Sequence, residues 1–322
     1  MRRATFLALA CTVILAITAA APDPSLATGT RSSSGAAPAV PEAWTDASHL
    51  PVPRADAQEV RVFNTVKEKL ARGERVVGGT VNTADPEVYC AMANAGLDFL
   101  WIEMQHSPLS YQEVARMIWA CRGAPAIPFI RVPDATEGDI QKATDIGALG
   151  IVVPMVDDLQ KIRNAVTYAK YPPLGKRSQG GGQYSALWGS DYRRMANDNV
   201  MIVAMIESPA GVAIADQIAR EPGVDVVFAA STDIGSFTGL RQGDPAYEAL
   251  VSEVHDRTLG AGKALGGPMA WMTTRAGYRF FQGPTPTALI ARGARAVLEE
   301  SDPCRDVAPG VAPIEGESPC SQ

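Results

Sequence analysis

Short apolar segments recur along this chain, and each is followed by a stretch with helical periodicity. Eight of them occur between Arg75 and Pro284, and most are apolar throughout rather than at alternate positions, as in GIVVPMV and VDVVFAA. Strands that are apolar on both faces are typical of parallel sheets covered by helices on both sides. Eight β/α units in roughly 230 residues match the size of one barrel. The sequence therefore predicts an α/β fold of the (β/α)8 TIM-barrel class.

The main alternative is a doubly wound open sheet. That fold would favour a G-x-G-x-x-G motif after the first strand or a Walker motif, and the chain has neither. The segment before the first strand places Val60, Phe63, Val66 and Leu70 at helical spacing, with Gly73 as a stop signal. We therefore expect a barrel that is preceded by an N-terminal helix.

The two ends of the chain differ in composition from the middle. A basic start, an apolar run (TFLALACTVILAITAAA) and small residues predict a cleaved signal peptide over residues 1–27. An uncleaved membrane anchor is the alternative, although the run is short for a span. Residues 28–56 are expected to be a disordered linker, 57–300 the barrel domain and 301–322 a disordered tail. We therefore expect a secreted or periplasmic protein that has no membrane attachment after cleavage.

The net charge limits which classes of partner the protein can bind, and the positions of the cysteines indicate which of them could form disulfides. The net charge of −6 argues against a general nucleic-acid binder. Cys90 and Cys121 lie in apolar helical patterns and are expected to be inert core thiols. Cys304 and Cys320, in the tail, could pair with each other in an oxidising compartment.

Polar side chains end four of the eight apolar segments, where barrel enzymes carry their catalytic groups. In chain order these are Glu103, Gln105 and His106 after the second segment, Arg131 after the third, Glu207 after the fifth and Asp233 after the sixth. The other segments are taken to end in apolar or small groups. Carboxylates from adjacent strands can hold a divalent cation, an arginine fork suits a carboxylate or oxyanion, and histidine can transfer protons. Together they predict a site for an acidic substrate whose carbonyl is polarised by a metal.

Each of these residues also has a purely structural explanation. A glutamate after a strand can cap a helix, Arg131 can form a structural ion pair, and His106 alone can be a structural histidine. Their joint occurrence at strand ends favours the functional interpretation. The Gly-rich QGGGQ, with Gly180–Gly182, could cradle a phosphate, but no strand precedes it. A mobile loop over the site is the favoured interpretation.

Five motifs resemble one enzyme family over about Phe63 to Leu298. They are IEMQHSP, IRVP, DIGALGIVVPMVDD, YPPLGKRSQG and IESPAGVAIADQIAREPGVDVVFAASTDIG. The chain resembles the HpcH/HpaI aldolase/citrate lyase family, and in particular the metal-dependent class II pyruvate aldolases that act on 4-hydroxy-2-oxoheptanedioate or 2-keto-3-deoxy sugar acids. The resemblance implies cleavage of a 4-hydroxy-2-oxo acid to pyruvate and an aldehyde, without a Schiff-base lysine.

The resemblance also implies a metal and substrate site. Glu207 and Asp233 would ligate a divalent cation such as Mg²⁺ or Mn²⁺. Arg131 would contact the pyruvate moiety and stabilise its enolate oxygen, and Ser231 and Thr232 would bind substrate. A homo-oligomer is implied as well, with the last helix exchanged between the subunits of dimers that assemble into hexamers.

The resemblance further implies that His106 takes part in proton transfer, with Asp145 as its supporting carboxylate. Three features depart from the family pattern: Gln105 replaces an acid, Met205 replaces a glutamine, and ASTDIG replaces the GP-x-DL segment around the metal aspartate. These changes leave the metal and pyruvate pocket intact but alter the groups that orient water and the aldehyde.

Two further functions stay open at this stage. A CoA-ester lyase of the citryl or malyl type would share the carboxylates and the arginine but needs a basic groove, for which only Lys176 and Arg177 are candidates. An exported, weakly catalytic protein that binds a 2-oxo acid would tolerate Met205 and Gln105.

Overall fold

The computed structural model describes residues 61–301, which contain a closed barrel of eight parallel strands in chain order. Each strand pairs with its neighbours along the chain, and β8 pairs with β1 to close the barrel. The strands are β1 (Val76–Val81), β2 (Phe99–Glu103), β3 (Ile127–Arg131), β4 (Gly150–Val153), β5 (Met201–Ile206), β6 (Val226–Ala229), β7 (Ala264–Pro268) and β8 (Tyr278–Gln282). The predicted (β/α)8 fold is confirmed.

Twelve α-helices occur within residues 61–301. They are α1 (Thr65–Ala71), α2 (Pro86–Ala93), α3 (Tyr111–Ala120), α4 (Glu137–Asp145), α5 (Leu159–Ala169), α6 (Tyr184–Trp188), α7 (Tyr192–Asn199), α8 (Pro209–Ala213), α9 (Ala215–Arg220), α10 (Ser231–Thr238), α11 (Pro245–Gly260) and α12 (Pro286–Glu300). Within that range no helix has the length and hydropathy needed to cross a membrane. The predicted signal peptide, the linker and the tail cysteines Cys304 and Cys320 lie outside the described residues.

The N-terminal helix begins later than its apolar spacing predicts. Residues 61–64 are not helical, and α1 is capped by Asn64, whose side chain accepts a hydrogen bond from the Lys67 N–H at 3.3 Å. The Asn64 amide also donates to the carbonyls of Leu149 (3.1 Å) and Asn199 (2.8 Å). These bonds tie the segment to the chain just before β4 and β5, so it covers the N-terminal end of the barrel.

Aromatic side chains fill the half of the barrel interior that lies away from the C-terminal ends of the strands. The rings of Phe99, Phe129 and Phe280 meet with centroid distances between 4.4 and 5.8 Å. Gly78 and Gly150 make room for them, because a Cβ at either position would lie within 2.2 Å of a phenylalanine ring atom. Above this layer Trp101 packs against Phe228 at 5.2 Å.

Side chains two residues apart point to the same face of a strand. The next inward positions after the aromatic layers are therefore Glu103 on β2, Arg131 on β3 and Gln282 on β8. The same alternation places Glu207 directly beyond inward-facing Met205. The barrel thus explains why an apolar strand can end in a charged residue. The first inward-facing side chains of the strand fill the core, and the last one reaches the mouth at the C-terminal end.

The connection from β7 to β8 lacks the helix that the repeating pattern predicts. It contains a 3₁₀ turn, Met269–Met272, in place of an α-helix. Only nine residues separate Pro268 from Tyr278, and a helical crossover needs about a dozen or more. Trp271 covers the gap, packing edge-on to Tyr278 at 5.3 Å under the guanidinium of Arg275 at 4.3 Å.

The Gly-rich passage is anchored to the side of the barrel, so the prediction of a mobile loop over the site is wrong. Tyr184 is buried and its hydroxyl donates to the Gly180 carbonyl at 2.6 Å. The Gln183 amide donates to the Ile146 carbonyl at 2.7 Å, and a Cβ on Gly182 would meet the Asp145 carbonyl at 2.5 Å. The passage therefore lies against the end of α4, and it continues into α6 and α7.

Cys90 and Cys121 form a disulfide, with their Cα atoms 5.4 Å apart. The prediction of two free core thiols is therefore wrong. Each cysteine lies in an amphipathic helical pattern, which predicts burial but not which helices become neighbours. Because α2 and α3 flank β2 and pack against each other, the bond joins the two helices on either side of that strand.

Candidate active site

A cavity of about 320 Å³ opens at the C-terminal end of the barrel. Its polar groups come from four places, namely the loop after β2, β3, α10 and β8, and apolar side chains from β5, β6 and β7 complete the wall. The lining residues are His106, Arg131, Met205, Phe228, Ala230, Ser231, Thr232, Asp233, Pro268 and Gln282. Most of the residues predicted for the site therefore converge on one space, which the closure of the barrel creates.

Arg131 joins two buried glutamates at the base of this cavity. Its Nη1 lies 3.2 Å from Oε2 of Glu103, and its Nη2 lies 3.1 Å from Oε1 of Glu207. All three side chains are less than 10% exposed. Its Nε is also buried and bonds to no described residue, so one donor of the guanidinium stays uncommitted. Arg131 is therefore held in place between the two carboxylates.

Glu103 also fixes the loop that carries His106. Its carboxylate accepts hydrogen bonds from the backbone N–H groups of Gln105 (2.9 Å) and His106 (3.0 Å) and from Nε1 of Trp101 (3.2 Å). His106 itself is exposed, and no hydrogen bond joins its ring to another described residue. The imidazole can therefore reach a substrate while its backbone stays fixed.

Glu207 and Asp233 interact directly at the mouth. Burial raises the pKa of the Glu207 carboxyl to about 7; the Arg131 charge and the Met155 N–H oppose this rise, and the Asp233 carboxylate adds to it. Met155 donates that N–H from a left-handed backbone, with φ of 51°, which is rare for a residue with a side chain. Two acids thus share a partly desolvated site in which a bound cation would relieve their repulsion.

The first turn of α10 faces the same cavity. Ser231, Thr232 and Asp233 occupy that turn, and Ala230 at the N-cap supplies no side-chain hydrogen bond. The first N–H groups of a helix have no partners within the helix, and its N-terminus attracts anions. The turn can therefore accept a carboxylate beside Asp233.

Asp145 does not support His106 within this chain, so that prediction needs correction. It is the last residue of α4, just before β4 begins at the opposite end of the barrel. Its carboxylate accepts hydrogen bonds from Arg177 (2.9 Å) and Gln141 (2.8 Å). Spacing along the sequence could not reveal this, because α4 carries the chain from one end of the barrel to the other.

Sequence reasoning missed three contributors to the site. The sequence shows Glu103 only as an acid at a strand end, whereas in the structure it links Arg131 to the His106 loop. The Met155 N–H binds Glu207 through backbone geometry that carries no residue-type signal. Gln282 ends β8 and lines the cavity, contrary to the prediction that this strand ends in an apolar or small group. The sequence signal for it is the alternation of faces, because Gln282 lies two residues after inward-facing Phe280.

Comparison with known proteins agrees with this architecture. Residues 80–274 match the model of the HpcH/HpaI aldolase/citrate lyase family. The chain is 33% identical over 246 residues to a hydroxypyruvate/pyruvate aldolase of Deinococcus radiodurans, covering 73% of this chain and 88% of that protein. It is 30% identical to a 2-keto-3-deoxy-L-rhamnonate aldolase of Klebsiella pneumoniae, covering 63% and 78%.

A solved structure extends the likeness to the whole barrel. A HpcH/HpaI aldolase/citrate lyase family protein from Burkholderia cenocepacia superposes with a TM-score of 0.68 at 28% identity, covering 74% of this chain and 98% of that one. The family match spans more than half of the chain and includes β2 to β7 together with the strand ends that carry His106, Arg131, Glu207 and Asp233. The chain therefore belongs to the HpcH/HpaI aldolase/citrate lyase family of carbon–carbon lyases.

Proposed function

We propose that this enzyme reversibly cleaves a 4-hydroxy-2-oxo acid into pyruvate and an aldehyde, with a divalent cation held by Glu207 and Asp233. One observation carries the proposal: Arg131 is bonded to Glu207 beside Asp233, in the cavity that His106 also lines. A cation, an acid pair and a proton carrier around one space suit a reaction that forms an enolate. The aldolase names of the relatives agree with this chemistry.

The donor set fits a hard divalent ion such as Mg²⁺ or Mn²⁺. No group of three His, Cys, Asp or Glu suited to a metal occurs in the described part of the chain, so two carboxylates would be joined by substrate oxygens and water. Desolvation and mutual repulsion of Glu207 and Asp233 would be offset by such an ion. When bound, it would supply Lewis acidity that stabilises negative charge on the 2-oxo oxygen.

The chain's own residues would divide the remaining work. The first turn of α10, with Ser231 and Thr232, would hold the substrate carboxylate. His106 would take the proton of the 4-hydroxyl as the C3–C4 bond breaks and the aldehyde carbonyl forms. The electron pair of that bond passes to the enolate, whose oxygen lies in the positive potential of Arg131. Protonation at C3 then gives pyruvate.

Pyruvate release can be measured directly with a lactate-dehydrogenase-coupled assay. We expect turnover of a 4-hydroxy-2-oxo acid in the presence of Mg²⁺ or Mn²⁺, complete loss after EDTA treatment, and recovery when metal is restored. Full activity in EDTA would contradict the metal role. Failure to release pyruvate from any of a panel of such acids, despite binding of pyruvate or oxalate by calorimetry, would favour the alternative of a weakly catalytic binding protein.

The CoA-ester lyase alternative receives less support. Arg177, one of its two candidate cations, is buried against Asp145 and Tyr192 rather than beside the mouth. Lys176 pairs with Glu137 on the outside of the barrel at 3.7 Å. The relatives described above are aldolases, and neither cation is placed to bind the phosphates of CoA at the mouth.

Assembly through the last helix is part of the proposal. Along α12 the residues from Ile290 onward are exposed, and the apolar side chains of Ile290, Val297 and Leu298 are 60–72% accessible. The family resemblance implies exchange of this helix between subunits. Light scattering after size exclusion should report a dimer or a multiple of it for the full chain, whereas a monomer would count against exchange.

Export is also proposed, on the N-terminal pattern and on the Cys90–Cys121 disulfide, because such bonds persist in oxidising compartments. Peptide mapping without reductant should find these two cysteines linked in protein recovered outside the cytoplasm.

The Cys90–Cys121 bond closes a loop with a sequence separation of 31, so Cys90→Ser should lower the free energy of unfolding by about 3–4 kcal/mol. Wild-type protein in reductant is the matched control. Two free thiols in the native protein would contradict both expectations.

A further inference from the structure

The loop after β4, residues 154–158, lies against the end of β5 that carries Glu207. The Met155 N–H donates to the Glu207 carboxylate, and the Val156 N–H donates to the Met205 carbonyl at 3.1 Å. Met155 makes its bond from a left-handed backbone, a conformation that persists only where the surrounding contacts impose it. The position of that N–H therefore depends on what holds the rest of the loop.

Asp157 anchors this loop to the residue that follows Glu207. The Ser208 hydroxyl donates to Oδ1 of Asp157 at 2.5 Å, and Ser208 is buried, so little water can replace this acceptor. The Asp157 N–H donates to the Met155 carbonyl at 3.1 Å, which closes a tight turn within the loop. Asp157 thus links the turn that presents the Met155 N–H to the chain directly after Glu207.

The bond to Asp157 is separate from the role of Ser208 as a helix cap. The same hydroxyl accepts the Gly211 N–H at 3.2 Å and so caps α8. A hydroxyl has one hydrogen to donate and can also accept, so capping needs no acidic partner. Loss of the Asp157 carboxylate would leave this cap in place but would take away the acceptor of the hydroxyl hydrogen. What the carboxylate contributes is therefore the link between the two loops.

The two loops pack directly against each other at Gly211. A Cβ there would lie 2.8 Å from the Val156 carbonyl oxygen and 3.5 Å from Oδ1 of Asp157. Glu207, which precedes α8, is 1% exposed, so its carboxylate has little room to adopt another orientation. A shift of either loop would therefore move this carboxylate relative to the space in which a cation would lie.

We infer that Asp157 is a positioning residue for the metal site: through the Ser208 hydroxyl and the Met155 turn, it holds the Glu207 carboxylate in the orientation that binds the cation. This inference rests on the proposed metal-dependent function. Asp157 is not among the described residues that line the cavity, so its effect is exerted through Glu207. Removal of a group that orients a metal ligand typically changes metal affinity ~10–100-fold.

Calorimetric titration of the full-length protein with Mn²⁺ tests this role. Asp157→Ala should weaken Mn²⁺ binding about tenfold. Asp157→Asn should restore most of the affinity, because its amide oxygen can still accept from the Ser208 hydroxyl. Asp158→Ala is the matched control. It removes the neighbouring carboxylate, which caps α5 by accepting the Lys161 N–H at 2.8 Å, and should leave Mn²⁺ affinity as in the wild type.

Two further measurements separate weakened metal binding from a damaged fold. Raising the Mn²⁺ concentration should return pyruvate release by Asp157→Ala to nearly the wild-type kcat. Adding Ser208→Ala to Asp157→Ala should weaken Mn²⁺ binding no further, because the two side chains share one hydrogen bond. If thermal melting shows that Asp157→Ala does not fold, Ser208→Ala alone takes its place, with the same expected loss of affinity.

The outcomes distinguish this inference from the proposed function. Weakened Mn²⁺ binding by a folded Asp157→Ala variant, restored in Asp157→Asn, supports the inference. Wild-type affinity in the folded alanine variant, or an asparagine variant that binds as weakly as the alanine one, overturns it while the aldolase proposal stands. Wild-type enzyme that binds no Mn²⁺ overturns both.

Discussion

Replacing Arg131 with alanine is expected to lower kcat/KM for pyruvate release by about 10²–10³-fold, as loss of one preorganised donor at an oxyanion does. Arg131 is the one cation that lines the mouth cavity among residues 61–301, and its guanidinium lies within 3.2 Å of two buried carboxylates. Its removal would take away the positive potential where the enolate charge develops. It would also leave Glu103 and Glu207 buried without a counter-charge. Steady-state kinetics with the coupled assay measures the effect.

Controls must separate catalysis from folding, because an uncompensated buried charge is strongly destabilising. Arg131→Lys keeps a charge but cannot bridge both glutamates as the planar fork does, so it should melt closer to wild type than Arg131→Ala while still losing activity. Arg163→Ala removes a half-exposed arginine that pairs with Glu221 at 3.0 Å and should leave turnover unchanged. A folded Arg131→Ala enzyme with wild-type kcat/KM would contradict the assigned role.

Replacing Glu207 with glutamine should abolish pyruvate release at ordinary metal concentrations and weaken Mn²⁺ binding by more than about 100-fold. Even groups that only orient metal ligands typically change affinity by ~10–100-fold when mutated. The substitution keeps the shape of the side chain, but its single amide oxygen can accept from only one of the Met155 N–H and Arg131, which bond to different oxygens of Glu207. It also removes the negative charge that Glu207 shares with Asp233. Calorimetric titration with Mn²⁺ measures the loss.

Excess metal distinguishes a binding defect from a broken site. If Glu207 acts through the ion, high Mn²⁺ should restore part of the activity of Glu207→Gln, and pyruvate-dependent binding should recover in parallel. Glu221→Gln, on the outer surface where it pairs with Arg163, is the matched control and should titrate like wild type. Undiminished Mn²⁺ affinity in Glu207→Gln would rule out this carboxylate as a ligand and leave Asp233 without its partner.

The sequence predicts the fold correctly where the local pattern of apolar residues also indicates which residues are buried. Uniformly apolar segments such as MIVAMI could only be covered strands, and their regular alternation with amphipathic stretches left few topologies besides a barrel. Polar residues at the ends of such strands then had to meet at one rim. The sequence therefore predicts that His106, Arg131 and Asp233 surround a common space, and all three line the cavity at the mouth.

Errors arose where two segments had to meet in space. The family resemblance implied that Asp145 supports His106, although within this chain α4 separates them by the height of the barrel and Arg177 bonds to the carboxylate. Cys90 and Cys121 had the apolar surroundings of free thiols, yet the packing of α2 against α3 brings them into bonding distance. The Gly-rich passage had the composition of a lid but is held by Tyr184 and Gln183.

By itself, then, the order of residues determined the fold class, the direction in which strand-end side chains point, and the types of group available for chemistry. The first two follow from periodicity, which acts over a few residues and needs no knowledge of distant partners, and the third is the residue types themselves. Only the tertiary structure decided that Arg131 bridges Glu103 and Glu207, that the Met155 N–H binds an acid, and that Gln282 lines the mouth. Those contacts depend on barrel closure, which sets the register between strands that are far apart in the chain.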